Sequence, residues 1–290
     1  AVTRLGYGAL ELRDVEADGG RLSDEANAER VLNAVLDAGI NFIDTAPSYG
    51  RSEEFLGRYV SGRRPEYFLA SKCGRAYRSD PPGGSELSRA AIFDSVERSL
   101  QRLDTDYLDL LQLHGPSVAD IERYDCITTL KDIQAQGKTR FLGVSAVLPN
   151  VETFIDWNVF DTFQIVYSAL EPEHEAAINY AAQRGAGTII RGGAAKGAPV
   201  RESGRGKEFP IVKTRWRRSG LETFLRGLDP VETMLRYALG YLAAHTFIVG
   251  TRNLEHLKGN IRAVEKGPLE PDLQEEIRRR VLAVVDDNKN

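Results

Sequence analysis

Asp44, Tyr49, Lys72 and His114 bring a carboxylate, a phenol, an ammonium and an imidazole to the ends of three successive apolar runs, NFIDT, YFLASK and YLDLLQLH. A free phenol, with a pKa of about 10, is a poor proton donor or acceptor near neutrality. An ammonium beside it favours the phenolate, and a carboxylate holding the ammonium keeps it charged and oriented. An imidazole next to the phenol can hydrogen-bond a substrate oxygen. The set reads as a general acid for a carbonyl oxygen, or a general base for the reverse alcohol oxidation. None of the four is an evident nucleophile and no metal cage accompanies them. The chemistry therefore calls for an external reductant, which a nicotinamide cofactor supplies as hydride.

Taken singly, each residue has a plain explanation. An aspartate after a strand commonly caps a turn, a tyrosine anchors with its hydroxyl in water, a lysine snorkels, and a histidine before Gly-Pro shapes a loop. Taken together these explanations weaken. A lysine and an aspartate delivered to one cavity are costly unless paired, and pairing leaves the lysine able to act on a third group.

Short apolar runs alternate with longer amphipathic stretches along the whole chain. Strands are predicted at residues 4–10, 41–45, 67–72, 107–114, 140–145, 162–167, 187–192 and 246–251. Most are near-continuous hydrophobic runs, as in parallel strands covered on both faces. Helical spacing joins Ile92, Val96, Leu100 and Leu103, and again Leu254, Leu257, Ile261 and Val264. Gly39, Gly137, Gly185 and Gly267 stand where helix C-termini favour glycine. Eight strand–helix units point to a single (β/α)8 TIM barrel domain over residues 1–290. An additional C-terminal helix is expected in 270–288, and long polar loops after strands three (74–88) and seven (192–220). A doubly wound open sheet uses the same alternation, but the Gly-rich fingerprint after its first strand is missing. In a barrel, strand ends converge on one face, which is what the four side chains require.

The composition is that of an ordinary globular protein, with 42% hydrophobic and 28% charged residues. A formal net charge of −4 gives no bulk attraction to nucleic acid or anionic membrane, and favours a small-molecule partner. Cys73 and Cys126 lack metal-type spacing and read as reduced thiols of a cytoplasmic protein. No apolar run is long enough to span a bilayer. The start, AVTRLGYGAL, lacks a signal-peptide pattern and opens almost directly in a strand, so residues could precede it in the natural protein. Oligomeric state is silent.

Five segments carry a resemblance: GINFIDTAPSYGRSEEFLG, LASKCG, SLQRLDTDYLDLLQLHGP, GKTRFLGVS and FIVGTRNLEHLKGNIRA. In order and over nearly the whole chain they resemble the aldo-keto reductase superfamily. The resemblance implies a (β/α)8 barrel without a Rossmann domain, and carbonyl reduction by NAD(P)H. It implies Tyr49 as acid/base, Lys72 lowering its pKa, Asp44 fixing Lys72 and His114 orienting the substrate carbonyl. It further implies that Ser145 and Gln164 bond the nicotinamide carboxamide, with Ala146 where the family usually has asparagine. Arg191 stands where a tyrosine commonly stacks on the nicotinamide, and a planar guanidinium can stack. Gly250, Thr251, Arg252, His256 and Asn260 fall in the part that grips the adenosine phosphates. Gly250 and Gly259 replace a frequent lysine and glutamate, and His256 replaces an arginine. Arg252 supplies the charge that a 2′-phosphate needs, so NADP(H) is favoured and NAD(H) remains possible.

The leading expectation is an NAD(P)H-dependent oxidoreductase acting on an aldehyde, ketone or sugar-like carbonyl. A nucleotide-binding regulatory subunit on the same fold is the alternative from another class, and retention of all four residue types argues for chemistry. A Schiff-base lyase using Lys72 would need that lysine neutral, which pairing with Asp44 opposes. Tyr7, Tyr77, Trp216 and Phe224 are candidates for shaping substrate choice. Arg75, Arg78 and the Arg215–Arg218 cluster are candidates for receiving an anionic or polyol substrate.

Overall fold

The computed structural model describes residues 1–13, 25–75, 86–202, 204 and 208–286. Eight parallel strands close into one barrel: β1 (Leu5–Gly8), β2 (Phe42–Asp44), β3 (Phe68–Cys73), β4 (Leu108–His114), β5 (Thr139–Ser145), β6 (Thr162–Val166), β7 (Gly187–Arg191) and β8 (Thr246–Val249). Each strand pairs with its sequence neighbours, and β8 returns to β1. All eight predicted strands are present. β1 is shorter than predicted because the chain turns into a 3-10 segment at Ala9–Leu12, and β3 runs one residue past Lys72. The four glycines predicted as helix stops all have positive φ, between +73° and +80°, a conformation open to glycine without a Cβ penalty.

Strand alternation decides what enters the barrel. Phe42, Ala70, Leu110, Ile189 and Ile248 form a small apolar cluster of their own, separate from the main core. The next inward position on each of those strands, two residues on, is Asp44, Lys72, Gln112, Arg191 and Gly250. On four of these strands an apolar inward residue is therefore followed by a polar one, and the change is staggered from strand to strand, Asp44 pairing with Ala70 and Arg191 with Ile248 while Lys72 pairs with Gln112. Space inside is tight: a Cβ on Gly143 would lie 2.4 Å from Thr162 Oγ1 and 3.1 Å from Leu110 Cδ1. The outward residues of the strands pack against the helices to form the main core.

The expected C-terminal helix is present as Pro271–Asp286, with Ile277 and Val281 buried. The 192–220 segment departs from its reading as a loop. It contains a 3-10 turn and a helix, Phe209–Arg218, that buries Phe209, Val212 and Trp216. Those residues lie at helical spacing, but four lysine and arginine side chains in the same ten residues give the stretch a loop-like composition. Most of the other long connection, residues 76–85, lies outside the described residues. A cavity of about 590 Å3 opens at the N-terminal mouth beneath the apolar cluster, lined by Phe42, Phe68, Leu110 and Ile189 among others. None of the four chemistry-bearing side chains lines it, so the site belongs to the opposite mouth.

Candidate active site

The four predicted side chains meet at the C-terminal mouth. Lys72 is buried to 0% side-chain exposure and Asp44 to 2%, with Lys72 Nζ 2.6 Å from Asp44 Oδ2. The ammonium also donates to the Thr45 carbonyl at 2.8 Å and lies 4.8 Å from the centroid of the Tyr49 ring. Burial disfavours its charge, but attraction from Asp44 and then Tyr49 outweighs that, and Lys72 titrates above the usual lysine range.

Tyr49 is placed by the short polar stretch after β2. The Tyr49 N–H closes a turn on the Ala46 carbonyl at 3.0 Å, and Gly50 follows in the left-handed region at φ +54°. Thr45 and Ser52 join hydroxyls at 2.9 Å, and Ser52 donates to the Ala9 carbonyl. The loop is thereby tied to the start of helix Ser52–Val60 and to the residue after β1. Glu53, the second residue of that helix, is buried and accepts from Ser71 on β3 and from Ser99 and Arg102. Tyr49 itself is half-buried, its ring edge-on to His114 at 5.9 Å between centroids and 85° between planes.

His114 carries Ser48 Oγ 3.4 Å from its Nδ1. Burial, with the charges of Lys72, Arg75 and Arg191, pushes its pKa down to about 2. The ring is neutral at any ordinary pH, a hydrogen-bonding group and not a cation.

Ser145 and Gln164 are partners across the β5–β6 pairing. Ser145 Oγ donates to Gln164 Oε1 at 2.9 Å, while Gln164 Nε2 donates to Asp44 Oδ1 at 2.7 Å. The expected cofactor pair and the expected catalytic pair thus form one buried chain: Ser145, Gln164, Asp44, Lys72. A further member escaped the sequence reading. Gln112, on β4 two residues before His114, is fully buried and donates to the same Asp44 Oδ1 at 3.1 Å. Its signal was present: an amide inside the apolar run LDLLQLH, on the same strand face as His114.

Arg191 ends β7 in an inward position, half-buried, and no carboxylate pairs with it among the described residues. Gly250, Thr251 and Arg252 follow β8, one strand away from β2. A Cβ at Gly250 would lie 2.6 Å from the Gly8 carbonyl oxygen, so only glycine lets these two strand ends meet. Thr251 is buried, and Asn253 caps helix Leu254–Glu265. Arg252 and His256 are exposed at the start of that helix, and Asn260 is buried two turns in.

Several substrate candidates go elsewhere. Tyr7 points away from the barrel interior, is 1% exposed and donates to the Thr251 carbonyl at 2.7 Å. Trp216 is buried in its helix, and Phe224 packs under Arg280 at 4.4 Å. Arg215 is bound to the Leu170 carbonyl and Glu173, and Arg217 to Glu202. Tyr77 and Arg78 lie outside the described residues. Among the described residues no group of histidine, cysteine and acidic side chains could hold a metal, and no helix is long and apolar enough to cross a membrane.

A closed parallel barrel with these groups at its C-terminal mouth defines a class, and comparison with known proteins agrees. The profile of the Aldo/keto reductase family matches residues 4–280, and the chain belongs to that family, whose members perform NAD(P)H-dependent carbonyl oxidoreduction. It is similar to the uncharacterized oxidoreductase YqkF of Bacillus subtilis, 28% identical over 275 residues that cover 90% of each protein. It is 26% identical to L-galactose dehydrogenase of Arabidopsis thaliana over 91% of this chain and 84% of that protein. Among solved structures it resembles the holo form of aldo-keto reductase AKR11C1 from Bacillus halodurans, with a TM-score of 0.80, 28% identity, and 96% and 92% of the two chains covered.

Two outcomes follow from this geometry. Gln112→Leu removes one of two amides on Asp44 Oδ1 and lowers kcat roughly 10-fold, with nucleotide affinity retained in a fluorescence titration. His114 in the unfolded chain titrates near 6.5 but stays neutral down to about 2 in the native protein. The unfolded state therefore binds the extra proton below that upper value, and this group's contribution to stability falls as pH drops through it. An NMR titration of His114 shows a neutral ring from pH 8 to well below 5; a ring that charges near pH 6 contradicts this environment.

Proposed function

We propose that this protein is an NAD(P)H-dependent reductase of an aldehyde or ketone, with Tyr49 as the general acid and NADP(H) as the favoured cofactor. The observation that carries this reading is the buried Lys72–Asp44 pair placed under the Tyr49 ring, with a neutral His114 at the ring's edge.

The residues present suit the cofactor. Ser145 and Gln164 offer a hydroxyl, a carbonyl and an amide N–H side by side, the complement that a carboxamide needs. When bound, the nicotinamide supplies a hydride to the carbonyl carbon and leaves oxidised. The chain's own part is the proton. Tyr49 donates it to the carbonyl oxygen as the C=O π bond opens, and the Lys72 ammonium stabilises the charge left on the phenolate. Asp44 holds that ammonium in place, and the two glutamine amides hold Asp44. A His114 tautomer protonated on Nε2 would accept from Ser48 at Nδ1 and present the Nε2–H to the substrate oxygen.

Arg252 supports NADP(H), being exposed at the start of helix Leu254–Glu265 with no carboxylate partner among the described residues. The charged state of Lys72 speaks against a Schiff-base role, which needs a free amine.

Tyr49→Phe lowers turnover of NADPH with an aldehyde by between about 100- and 10,000-fold while nucleotide binding persists; a variant that still reduces the aldehyde at the parent rate rules out this acid. Lys72→Met removes turnover as well, and leaves a buried carboxylate unpaired at a cost of about 3–5 kcal/mol in a denaturation experiment. Arg252→Ala raises KM for NADPH by about 10-fold, with KM for NADH moving less than about twofold; equal effects on both would remove the case for NADP(H).

A further inference from the structure

The arginines that the sequence offers as anion receptors separate cleanly in space. Arg215 and Arg217 are bound to carboxylates and carbonyls of their own surroundings. Arg75 is different. It is exposed, three residues beyond Lys72, and among the described residues no acid pairs with it. Its guanidinium lies against the backbone of Gly115, the residue after His114. A Cβ on Gly115 would stand 2.7 Å from Arg75 Nη2 and 3.5 Å from Cζ. Glycine is favoured there by a φ of +66°, and the guanidinium fills the space a side chain would take. The Gly115 N–H donates to the Ser145 carbonyl at 2.8 Å, so the guanidinium rests on a fixed piece of backbone between β4 and β5.

Charge around this point is one-sided. Asp44 offsets Lys72, whereas Arg75 and Arg191 both act on His114 with no described acid to offset either. A planar fork of N–H donors with no acid partner, beside the imidazole assigned to the substrate oxygen, suits an anionic oxygen group bidentately. A neutral aldehyde or sugar leaves that fork without a charge to meet.

We propose that Arg75 anchors the substrate, and that the substrate is a carbonyl compound bearing a carboxylate or phosphate group a few bonds from the reacting carbon. This rests on the carbonyl-reductase reading above and narrows it to a substrate class.

The test uses the whole chain with saturating NADPH and two matched pairs: succinic semialdehyde against butanal, and glyceraldehyde 3-phosphate against glyceraldehyde. The parent protein prefers the anionic member of at least one pair by about 10-fold or more in kcat/KM, and the pair that shows it separates carboxylate from phosphate. Arg75→Met reduces that preference by at least about 10-fold, chiefly through KM, while Arg75→Lys retains part of it. Raising the ionic strength weakens the preference of the parent and not that of Arg75→Met. Turnover of the pairs without preference for the anion overturns this proposal alone, as does an Arg75→Met variant that loses both members equally. Failure to reduce any of the four compounds overturns the reductase reading and this proposal with it.

Discussion

A buried ion pair between Lys72 and Asp44 is the constraint around which the mouth of this barrel is built. Taking both charges out of water costs several kcal/mol per ion, and their attraction repays it only with good geometry and further hydrogen bonds. Both conditions are met: Lys72 has a carboxylate and a backbone carbonyl, and Asp44 has the ammonium and two glutamine amides. Apolar residues of similar volume would serve stability as well or better. What the pair does that they cannot is hold a fixed positive charge under a phenol ring. In the proposed reaction that charge acts on Tyr49.

The floor beneath makes that charge effective. Phe42, Ala70, Leu110, Ile189 and Ile248 fill the barrel one inward position before Asp44, Lys72, Gln112, Arg191 and Gly250 on their strands. Water is kept from the underside of the pair, and in such surroundings a fixed charge acts more strongly on its neighbours. The same alternation that delivers Asp44, Lys72 and Arg191 to the mouth delivers this seal, so site and floor are one pattern read at two levels. The hydrogen-bond chain from Ser145 through Gln164 to Asp44 adds a second consequence. A group that draws the Gln164 amide toward itself changes what holds Asp44 Oδ1, and Gln112 then keeps the carboxylate from turning. In the proposed reaction, this hydrogen-bond chain would join nucleotide binding at Ser145 and Gln164 to the proton-transfer site.

Much of this was legible in the residues. Near-continuous apolar runs announced parallel strands covered on both faces, and their ends announced where Asp44, Lys72 and His114 would meet. What stayed hidden depends on which way a side chain faces and on partners far away in sequence. Gln112 sat inside an apolar run, and only the register with Lys72 shows that its amide reaches Asp44, 68 residues earlier. Tyr7 had the right neighbourhood and the wrong strand face. The arginines of 215–218 looked available because Glu173 and Glu202 lie 42 and 15 residues away from their partners. The helix Phe209–Arg218 was masked by its own charge, since a helix anchored by only three large apolar residues has the composition of a loop.

The state of His114 ties these pieces together. Burial and three surrounding cations make an imidazolium at this position unfavourable, so the ring can donate a hydrogen bond but cannot act as the acid. In the proposed reaction the proton must then come from Tyr49, whose departing charge faces the one cation that is held rigidly, Lys72. The other two cations, Arg75 and Arg191, would be an electrostatic burden on a neutral site, since nothing described offsets them. They become reasonable when a negative charge arrives with the substrate or cofactor. A mouth that disfavours a proton on its histidine, and whose two guanidinium groups have no acid partner among the described residues, fits the anionic substrate proposed above, with Arg75 resting on Gly115 beside His114.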